Sequence, residues 1–445
     1  MQLGDGIQNS PLTSGEFNNI MATVDMGSPN KIAVAVSGGC DSLSLTFLLK
    51  EWCNKKDVTL VALTVDHGLR DESAQEAARV GTWLKHLDIE HHILTWVGHK
   101  PSSNIQDAAR RARYSLLGQW CADNEVSHLF LAHHKNDQAE TFLLRLFRGS
   151  GVDGLSAMEA VAKFPTESGL VSYPKIYRPL LDVSKDRLEL YLNEKNQKWI
   201  EDPSNEDRKF ARIQIRELLG KTDIDGLNLD KMAATAYRMR RVRTFLDDQT
   251  EEAESNYVVY DKLGYASLKC DFYQHVHDEI LLRLLSKILK KVGGNSYPPR
   301  HLKLEQLLDK LKQAEFPGQT LAGVMVFGSG ENSLIFSREI NKIPTEVNVS
   351  KPKQILWDGR FILSSSQIDG QIVPISKNII NGFFQEHPKM KERLNVIFDD
   401  HQLRDRIVPS LPCIVGLNGE IMLPDVLLNK LALNNLDGFS AVFKE

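Results

Sequence analysis

The sequence predicts an α/β protein whose N-terminal half is a parallel sheet covered by helices. From Lys31 to about Gly151, short β-branched or apolar runs alternate with longer amphipathic runs. The apolar runs are nearly continuous, which is typical of strands that are buried on both faces of a parallel sheet. At 445 residues the chain is too long for one ordinary domain, so we expect helical and β-rich domains after this sheet.

Each predicted strand of the N-terminal region is followed by a predicted helix. β-Branched and apolar runs predict strands at 31–36, 58–65, 89–97 and 127–132. Amphipathic spacing predicts helices at 42–54, 73–87, 104–122 and 137–148. Ligands of open parallel sheets bind beyond the carboxyl ends of the strands. We therefore expect a site at residues 37–42, where the first strand ends.

The rest of the chain has a different pattern. Residues 1–30 are polar and rich in Gly, Ser and Asn, without the regions of a secretory signal, so we expect a mobile leader there. Helical patterns continue to about residue 315, and short alternating runs follow from Gln319 onward. We therefore predict a first domain over 31–222, a mostly helical domain over 223–345 and a β-rich domain over 346–445.

Composition argues against several classes of protein. No apolar stretch approaches the roughly 20 residues that span a bilayer, so we expect a cytoplasmic protein without a membrane segment. The five cysteines include no CxxC pair, which argues against a disulfide framework and against a zinc or iron-sulfur site. The net charge of −4 argues weakly against a protein coated with nucleic acid, although local basic stretches matter more than the sum.

The stretch IAVAVSGGCDS at 32–42 has the form of a strand, a glycine turn and a helix start. Glycines let the backbone approach a ligand closely, and a helix N-terminus offers free N–H groups and a positive dipole end. A phosphate cradle of this kind would be formed by Ser37, Gly38, Gly39, Cys40, Asp41 and Ser42. The alternative is a glycine turn in which Asp41 or Ser42 only caps the helix. A Walker A loop is excluded, because no lysine follows the glycines.

The arrangement strand-SGGxDS-helix resembles the signature of the PP-loop ATP pyrophosphatases, which have an adenine nucleotide alpha hydrolase-like fold. Five further stretches are similar to tRNA(Ile)-lysidine synthases: VDHGLRDESAQEAA, NIQDAARRARYSLL, LFLAHHKNDQAETFLLRLFRGSGVDGLSAM, RPLLDVSK and WIEDPSNEDRKFARIQIR. This resemblance covers residues 31–220 closely. It is thinner beyond them, where WDGRF at 357–361 and LPCI at 411–414 are similar to the C-terminal part of some members.

The resemblance implies an ATP-dependent ligase that modifies a tRNA. In that family, ATP adenylates C2 of the wobble cytidine in an isoleucine tRNA with the anticodon CAU. The ε-amine of free L-lysine then displaces AMP, and the product, lysidine, changes codon recognition from AUG to AUA. Use of ATP implies Mg²⁺, which we expect near Asp41 and Asp137.

This chemistry needs a group that takes a proton from lysine. The ε-amine has a pKa of about 10.4, so forming the neutral nucleophile at pH 7 costs roughly 4 to 5 kcal/mol. Asp137 and Glu140 lie three residues apart at a predicted helix start and project from one face. Either could orient the lysine ammonium, hold Mg²⁺ or accept the proton. The alternative is a helix start that resembles a capping box.

His133 and Arg113 complete the expected site. His133 follows the fourth strand beside His134, and adjacent residues point to opposite faces, so we expect at most one of them to face the ligand. On the helix over 104–122, Arg113 shares a flank with Gln106 and Arg110. The stripe expected to pack on the sheet contains Ile105, Ala108, Ala112 and Leu116. The resemblance favours Arg113 as the contact to phosphate or tRNA, and Asn136 stands where the family usually has Asp.

Two basic stretches without acidic residues predict contacts with the tRNA backbone. KMAATAYRMRRVR at 231–243 contains Arg238 and Arg241, and RKFARIQIR at 208–216 contains Arg212 and Arg216. For the first stretch, the alternative is a solvated helix face. In the second, Ile213 replaces the Asn that the family pattern has.

Alternative functions remain open from the sequence. A thiolase of the PP-loop class would ordinarily need paired or catalytic cysteines, and Cys40 and Cys121 have no CxxC companion. An amidotransferase relative would need an ammonia source, and no glutaminase-like half is evident. A catalytically inactive protein would bind the same tRNA without lysine-dependent release of PPi. A homodimer is compatible with the sequence, which does not decide the oligomeric state.

Overall fold

The computed structural model describes residues 10–70, 72–98, 100, 101, 103–165, 172–201, 211–221, 228–313, 315–329, 332–350, 354–364, 369–388, 392–394, 398, 401–417, 419–430 and 438–444. These residues divide into two compact units. Unit 1 extends to Thr244 and unit 2 begins at Phe245. Within the described ranges, no helix has the length and apolar character needed to cross a membrane.

Unit 1 is built on a six-stranded sheet. Its strands are β1 (Lys31–Ala35), β2 (Thr59–Asp66), β3 (Glu90–Thr95), β4 (His128–Phe130), β5 (Val161–Ala162) and β6 (Lys175–Tyr177). Its helices include α1 (Ser14–Ala22), α2 (Cys40–Lys56), α3 (Ser73–Lys85), α4 (Ile105–Asp123), α5 (Lys135–Phe147), α6 (Val152–Leu155), α7 (Lys185–Glu194), α8 (Ala211–Lys221) and the first part of α9 (Leu229–Tyr257). The strand order is β3-β2-β1-β4-β6-β5, and only β5 runs antiparallel to its neighbour. The predicted α/β fold with a parallel sheet is confirmed.

The strand order places the ends of β1 and β4 side by side. Strand β1 pairs with β2 on one edge, where Lys31 lies opposite Thr59, and with β4 on the other, where Ala33 lies opposite Leu129. The chain therefore leaves β1 towards one side of the sheet and later returns to the opposite side. Such a switch point opens a crevice beyond the carboxyl ends of the strands, and residues 37–42 and 131–134 meet there.

Both faces of the sheet are buried, which explains the nearly continuous apolar strands. Val34 packs on one face with Leu45 of α2, whereas Ala33 and Leu63 pack on the other face with Leu117 of α4. Burying such a side chain completely contributes about 1.5 to 3 kcal/mol. The sheet is therefore a rigid platform for the loops at its carboxyl edge.

The expected mobile leader is wrong for residues 10–22. The side chain of Thr13 caps α1 by accepting the N–H of Glu16 at 3.2 Å, and Phe17 and Met21 are buried. Arg187 of α7 donates to both carboxylate oxygens of Glu16 and to the carbonyl of Ser10. The polar composition was misleading, because a short amphipathic helix buries only a few of its residues. The first nine residues lie outside the part of the chain that the structure describes.

Unit 2 contains two further sheets. The first has the order β7-β8-β11-β10-β9 and consists of β7 (Val258–Asp261), β8 (Tyr265–Lys269), β9 (Gln319–Leu321), β10 (Val324–Ser329) and β11 (Ser333–Arg338). The second has the order β12-β15-β16-β17-β18-β14-β13 and consists of β12 (Val347–Ser350), β13 (Gln354–Trp357), β14 (Phe361–Ser364), β15 (Asp369–Pro374), β16 (Pro412–Gly416), β17 (Ile421–Pro424) and β18 (Gly438–Phe443). The helices include α10 (Phe272–His275), α11 (Asp278–Gly293), α12 (His301–Leu311), α13 (Lys377–Glu386), α14 (His401–Ile407) and α15 (Asp425–Lys430).

The segment expected to be mostly helical, 223–345, is mixed instead. Its alternating runs form strands β7 to β11, because residues far apart in the chain pair to cover one face of α11, as Phe336 does opposite Ala266. Apolar side chains of unit 2 gather in one cluster around α11 and in a second around Trp357. The boundary between the two compact units lies at 244, and the predicted boundaries near 222 and 345 stay predictions.

A buried ion cluster lies in the WDGRF stretch of unit 2. The carboxylate of Asp358 accepts two hydrogen bonds from Arg338, at 2.9 and 2.7 Å, and one from Arg360, at 2.7 Å. The side chains of these three residues are 3%, 8% and 0% exposed, respectively. Burial lowers the pKa of Arg360 to about 10, although the charge of Asp358 opposes this shift. One carboxylate is therefore shared by two guanidinium groups that have little access to water.

Candidate active site

A cavity of about 940 Å³ lies beyond the carboxyl ends of β1, β2 and β4. Its volume is within the range of small-molecule and cofactor sites, roughly 300 to 1,000 Å³. Loops and helix starts that are far apart in the sequence supply its polar wall, which includes Ser37, Gly39, Asp41, Ser42, Asp66, His67, Arg110, Arg113, His133, Asp137 and Arg212. The structure thus brings most of the predicted site residues to one place.

The loop after β1 is closed by its two serines. The Ser42 hydroxyl donates to the carbonyl of Gly39 at 3.0 Å and accepts the N–H of Ser37 at 3.1 Å. Gly38 has φ +85°, and a Cβ there would lie 2.7 Å from Val80 and 2.8 Å from Ile200, so only glycine fits. Among the described residues no side chain caps the start of α2, which leaves its first N–H groups available for an anion.

Cys40 does not take part through its side chain. The residue is 6% exposed and belongs to the apolar cluster beneath the loop. Burial raises the pKa of its thiol to about 12, with a further contribution from Asp41. A thiol in this environment is neither a nucleophile nor a phosphate ligand. The predicted ATP contact at Cys40 stays a prediction, and the buried side chain leaves only the backbone for it.

His134 joins the loop after β1 to the start of α5. Its Nε2 atom lies 3.5 Å from Oδ2 of Asp41 and 3.5 Å from Oδ2 of Asp137. The Asp137 carboxylate also accepts the backbone N–H of His134 at 3.0 Å, which caps α5. Burial alone would lower the pKa of His134, but the hydrogen bond with Asp41 and the nearby carboxylates outweigh it and raise the pKa.

The two adjacent histidines face different surroundings, as expected from their alternation. His133 lines the cavity, and its Nδ1 accepts a hydrogen bond from Nε of Arg178 at 3.3 Å. Burial lowers the pKa of His133 to about 3, and Arg178 and Arg113 add to this effect. The ring is therefore neutral, and because Nδ1 accepts from Arg178, the proton is on Nε2. Sequence reasoning missed the role of His134, because adjacency predicts opposite faces but not what each face meets.

Helix α4 packs on the sheet by a different face from the one expected. Ala108 of the expected stripe is buried, but Ile105 is 41% exposed, and most of the buried surface belongs to Tyr114, Leu117 and Cys121. Apolar residues occur around much of the circumference of α4, so their spacing did not identify the face that packs on the sheet. As a result, Arg110 and Arg113 lie next to the packed face and reach the cavity wall, and their guanidinium groups lie 5.1 and 5.7 Å from the Tyr114 ring.

Glu140 lies behind the cavity and does not line it. Its side chain is 2% exposed, and both of its carboxylate oxygens accept hydrogen bonds from Arg216 of α8. Arg216 also approaches Asp137, with 4.0 Å between Nη2 and Oδ1. Burial raises the pKa of Glu140, and Arg216 opposes the shift. The predicted tRNA contact Arg216 thus pairs with the predicted lysine ligand Glu140, whereas Arg212 lines the cavity.

Arg238 and Arg241 lie on the exposed face of α9. The opposite face packs against α5 and α8, where Met232 and Ala236 belong to a cluster with Phe142. Two other arginines of the same stretch have structural partners: Arg240 donates to the carbonyl of Met158, and Arg243 pairs with Glu159. The basic stretch is therefore divided between internal contacts and a solvent-exposed cationic face.

The expected Mg²⁺ ligands, Asp41 and Asp137, fit a metal that enters with a nucleotide. The described residues contain no group of three or more His, Cys, Asp or Glu side chains arranged to hold a metal. Mg²⁺, however, is commonly bound by one or two carboxylates together with substrate phosphates. Oδ1 of Asp41 is buried without a hydrogen-bond partner in the described structure, which leaves an oxygen free to bind a cation.

A glycine-rich phosphate loop at the switch point of a parallel sheet is the arrangement of a PP-loop domain, and the family model described as PP-loop domain matches residues 13–222. The chain is 36% identical over 408 residues to a tRNA(Ile)-lysidine synthase from Wolbachia pipientis wMel, covering 90% of each chain. It is also 38% identical over 356 residues to the tRNA(Ile)-lysidine synthase of Ruegeria pomeroyi, covering 80% of this chain and 82% of the relative. The chain therefore belongs to the tRNA(Ile)-lysidine synthase family, and the predicted family is confirmed.

Among solved structures, the chain is similar to the U34-tRNA thiolase NcsA from Methanococcus maripaludis. The two share 19% sequence identity, and the match covers 51% of this chain and 77% of the thiolase, with a TM-score of 0.42. A similarity of this strength supports no argument about function.

Proposed function

We propose that the protein is an ATP-dependent ligase that joins the ε-amine of free L-lysine to C2 of the wobble cytidine in an isoleucine tRNA with the anticodon CAU. The reaction runs through an adenylated cytidine and releases PPi and then AMP. The observation that carries the proposal is one cavity in which a phosphate loop, four arginines and the carboxylates of Asp41 and Asp137 meet, in a chain of the tRNA(Ile)-lysidine synthase family.

ATP is assigned to the loop after β1. Ser37 and Ser42 line the cavity, and the first N–H groups of α2, which no described side chain caps, can bind phosphate oxygens there. Arg113, with Arg110 and Arg212, supplies positive charge on the same wall. The carboxylates of Asp41 and Asp137 would hold Mg²⁺, which would supply further positive charge for the phosphates. These groups stabilise the charge that develops on the leaving PPi.

Asp137 is the residue best placed to bind the lysine ammonium and accept its proton. His133 is neutral and carries a proton on the nitrogen that is not bound by Arg178. Two other carboxylates of the wall are engaged, since Asp66 accepts from Ser73 at 2.7 Å and Glu76 pairs with Arg70 at 2.9 Å. Asp137 is also engaged, since it accepts the backbone N–H of His134. It lines the cavity, however, and contacts the same His134 ring as Asp41 of the phosphate loop, so it is the carboxylate that we assign to the lysine.

The product distinguishes this function from its alternatives. The protein is incubated with ATP, L-lysine and the isoleucine tRNA, and the tRNA is digested and analysed by mass spectrometry. We expect a cytidine that has gained one lysine and lost one water, together with equal amounts of AMP and PPi. A thiolated base would instead indicate the thiolase alternative, and an unmodified tRNA with intact ATP would indicate an inactive tRNA-binding protein.

The tRNA backbone is assigned to the exposed face of α9. Replacing both Arg238 and Arg241 with Ala should weaken tRNA binding and flatten its dependence on salt, by about one unit of slope for each phosphate that is no longer bound. Filter binding over a range of salt concentrations measures both quantities. Lys185→Ala serves as the control, since this exposed lysine pairs with Glu189 on α7. A slope that does not change in the double variant removes this face from the interface.

The cellular setting follows from the substrates. We propose the cytoplasm, where tRNA, ATP and free lysine occur together. A homodimer stays a prediction, and the mass of the protein in solution, measured by light scattering, tests it.

A further inference from the structure

We infer that Glu140 acts through Arg216 and does not bind the lysine substrate. In this arrangement Glu140 is a positioning residue, because its ion pair holds helix α8 in the place that brings Arg212 to the cavity wall. The inference rests on the proposed function, since that function supplies the reaction in which the effect is measured.

The contacts of Glu140 leave it poorly placed as a substrate ligand. Its side chain is almost fully buried and does not line the cavity. Arg216 occupies both carboxylate oxygens in a bidentate arrangement, with Nη2 at 3.2 Å from Oε2. A lysine ammonium would have to displace this guanidinium. A buried carboxylate needs a permanent cationic partner, and Arg216 provides one within the protein itself.

Arg216 approaches this buried partner from a partly exposed helix. Its own side chain is 43% exposed, so the ion pair extends from the surface of α8 to the interior of α5. Ile215, the preceding residue, is buried in one cluster with Ala139 and Phe142 of α5. This apolar contact packs α8 against α5. The bidentate Glu140–Arg216 pair then restricts how far α8 can rotate or slide.

Arg212 shares a flank of α8 with Arg216. The two residues are four positions apart, which places them one turn apart and separated by about 40° around the helix axis. Arg212 lines the cavity, whereas Arg216 points to Glu140 just behind it. A rotation of α8 by a single residue, about 100°, would carry Arg212 away from the wall. The Glu140–Arg216 pair therefore sets the position of a cation that faces the proposed phosphate site.

The two possible roles of Glu140 affect different steps. A lysine ligand acts only after the cytidine has been adenylated. A residue that positions Arg212 acts already when ATP is cleaved, before lysine is needed. The release of PPi in the absence of lysine, measured in a single turnover with tRNA bound, therefore separates the two roles, and the KM for lysine in the complete reaction provides a second readout.

We expect Glu140→Gln to slow the lysine-independent release of PPi by about 10- to 100-fold, the usual effect of a small misplacement of a reacting group. The KM for lysine should stay within about twofold of the wild-type value. Arg216→Gln should give the same pattern, and Arg216→Lys should restore part of the rate, because it keeps the charge but not the bidentate geometry. In an Arg212→Gln background, Glu140→Gln should have little further effect.

Two outcomes would overturn the inference. In the first, Glu140→Gln raises the KM for lysine several-fold and leaves the release of PPi unchanged, which would make Glu140 a lysine ligand. In the second, the effects of Glu140→Gln and Arg212→Gln multiply in the double variant, which would mean that the two residues act independently. Failure of the proposed function itself is distinguishable, because the wild-type protein would then form no lysine adduct.

Control variants and thermal unfolding distinguish a loss of positioning from a loss of the folded structure. Arg111→Gln removes an exposed ion pair with Asp107 on α4, and it should leave both readouts within about twofold of the wild type. Thermal unfolding of every variant is measured in parallel. Should Glu140→Gln fail to fold, Arg216→Lys carries the test, since that variant keeps the buried charge neutralised. An unchanged rate of PPi release in Arg216→Lys and Arg216→Gln alike would then reject the inference.

Discussion

Asp41→Asn is expected to reduce the release of PPi from ATP by at least about 100-fold, in line with the loss of a single electrostatic group from a reaction centre. Asp41 lies at the start of α2 on the cavity wall. One of its oxygens contacts His134, and the other is buried without a partner in the described structure. The neutral amide keeps the shape of the side chain but removes the charge proposed to hold Mg²⁺ beside the phosphates.

A single-turnover assay with radiolabelled ATP measures this effect. Asp123→Asn, an exposed position at the end of α4, is the matched control and should retain the wild-type rate. Thermal unfolding is expected to change little, because Asp41 makes few protein contacts that the amide cannot keep. A rate for Asp41→Asn within tenfold of the wild type would remove Asp41 from the reaction.

Asp358→Ala is expected to destabilise unit 2 by about 3 to 5 kcal/mol, the range observed when one partner of a buried ion pair is removed. Asp358 is the carboxylate shared by Arg338 and Arg360, whose side chains are 8% and 0% exposed. Without it, two guanidinium groups would be left in a region from which water is excluded. The variant also removes the charge that opposes the effect of burial on the pKa of Arg360, so this guanidinium would be left buried without its ion partner.

Urea denaturation gives the free energy of unfolding for this comparison. Asp278→Asn removes an exposed ion pair with Lys312 in the same unit, and it should cost less than about 1 kcal/mol. Each variant removes one carboxylate from an ion pair. The difference between their free energies of unfolding therefore measures the effect of burial. A loss below about 1 kcal/mol for Asp358→Ala would show that the cluster contributes no more than a surface pair.

Local patterns predicted the elements of unit 1 well. The glycines and serines of SGGCDS, placed after a β-branched run, indicated a loop between β1 and α2, and the structure has α2 beginning at Cys40. Strands such as β2 were recognisable because burial on both faces makes a run continuously apolar. Helix α1 was missed, since Phe17 and Met21 are two apolar residues in a polar segment, and only their packing against the rest of unit 1 shows that they are core.

Local sequence patterns did not predict the contacts between residues that are far apart in the chain. The stripe of α4 that packs on the sheet depends on which neighbours it meets, so periodicity chose Leu116 where the structure buries Leu117 and Cys121. The segment over 223–345 was expected to be mostly helical, because its strands are short and are stabilised by pairing across the chain rather than by their own residues.

The sequence by itself determined the chemistry of the phosphate loop and the family of the protein, since both rest on residues that are adjacent in the chain. Gly38 must adopt a positive φ, and a helix must begin directly after it, whatever surrounds them. Only the tertiary structure distinguished the surroundings of Asp137 from those of Glu140. These carboxylates are three residues apart and equivalent by pattern, but Arg216, 76 positions away from Glu140, neutralises one and leaves the other facing the cavity. Whether a carboxylate is free to contact a ligand depends on the residues around it in space. Ion pairing and burial are set by distances between atoms and not by positions in the chain.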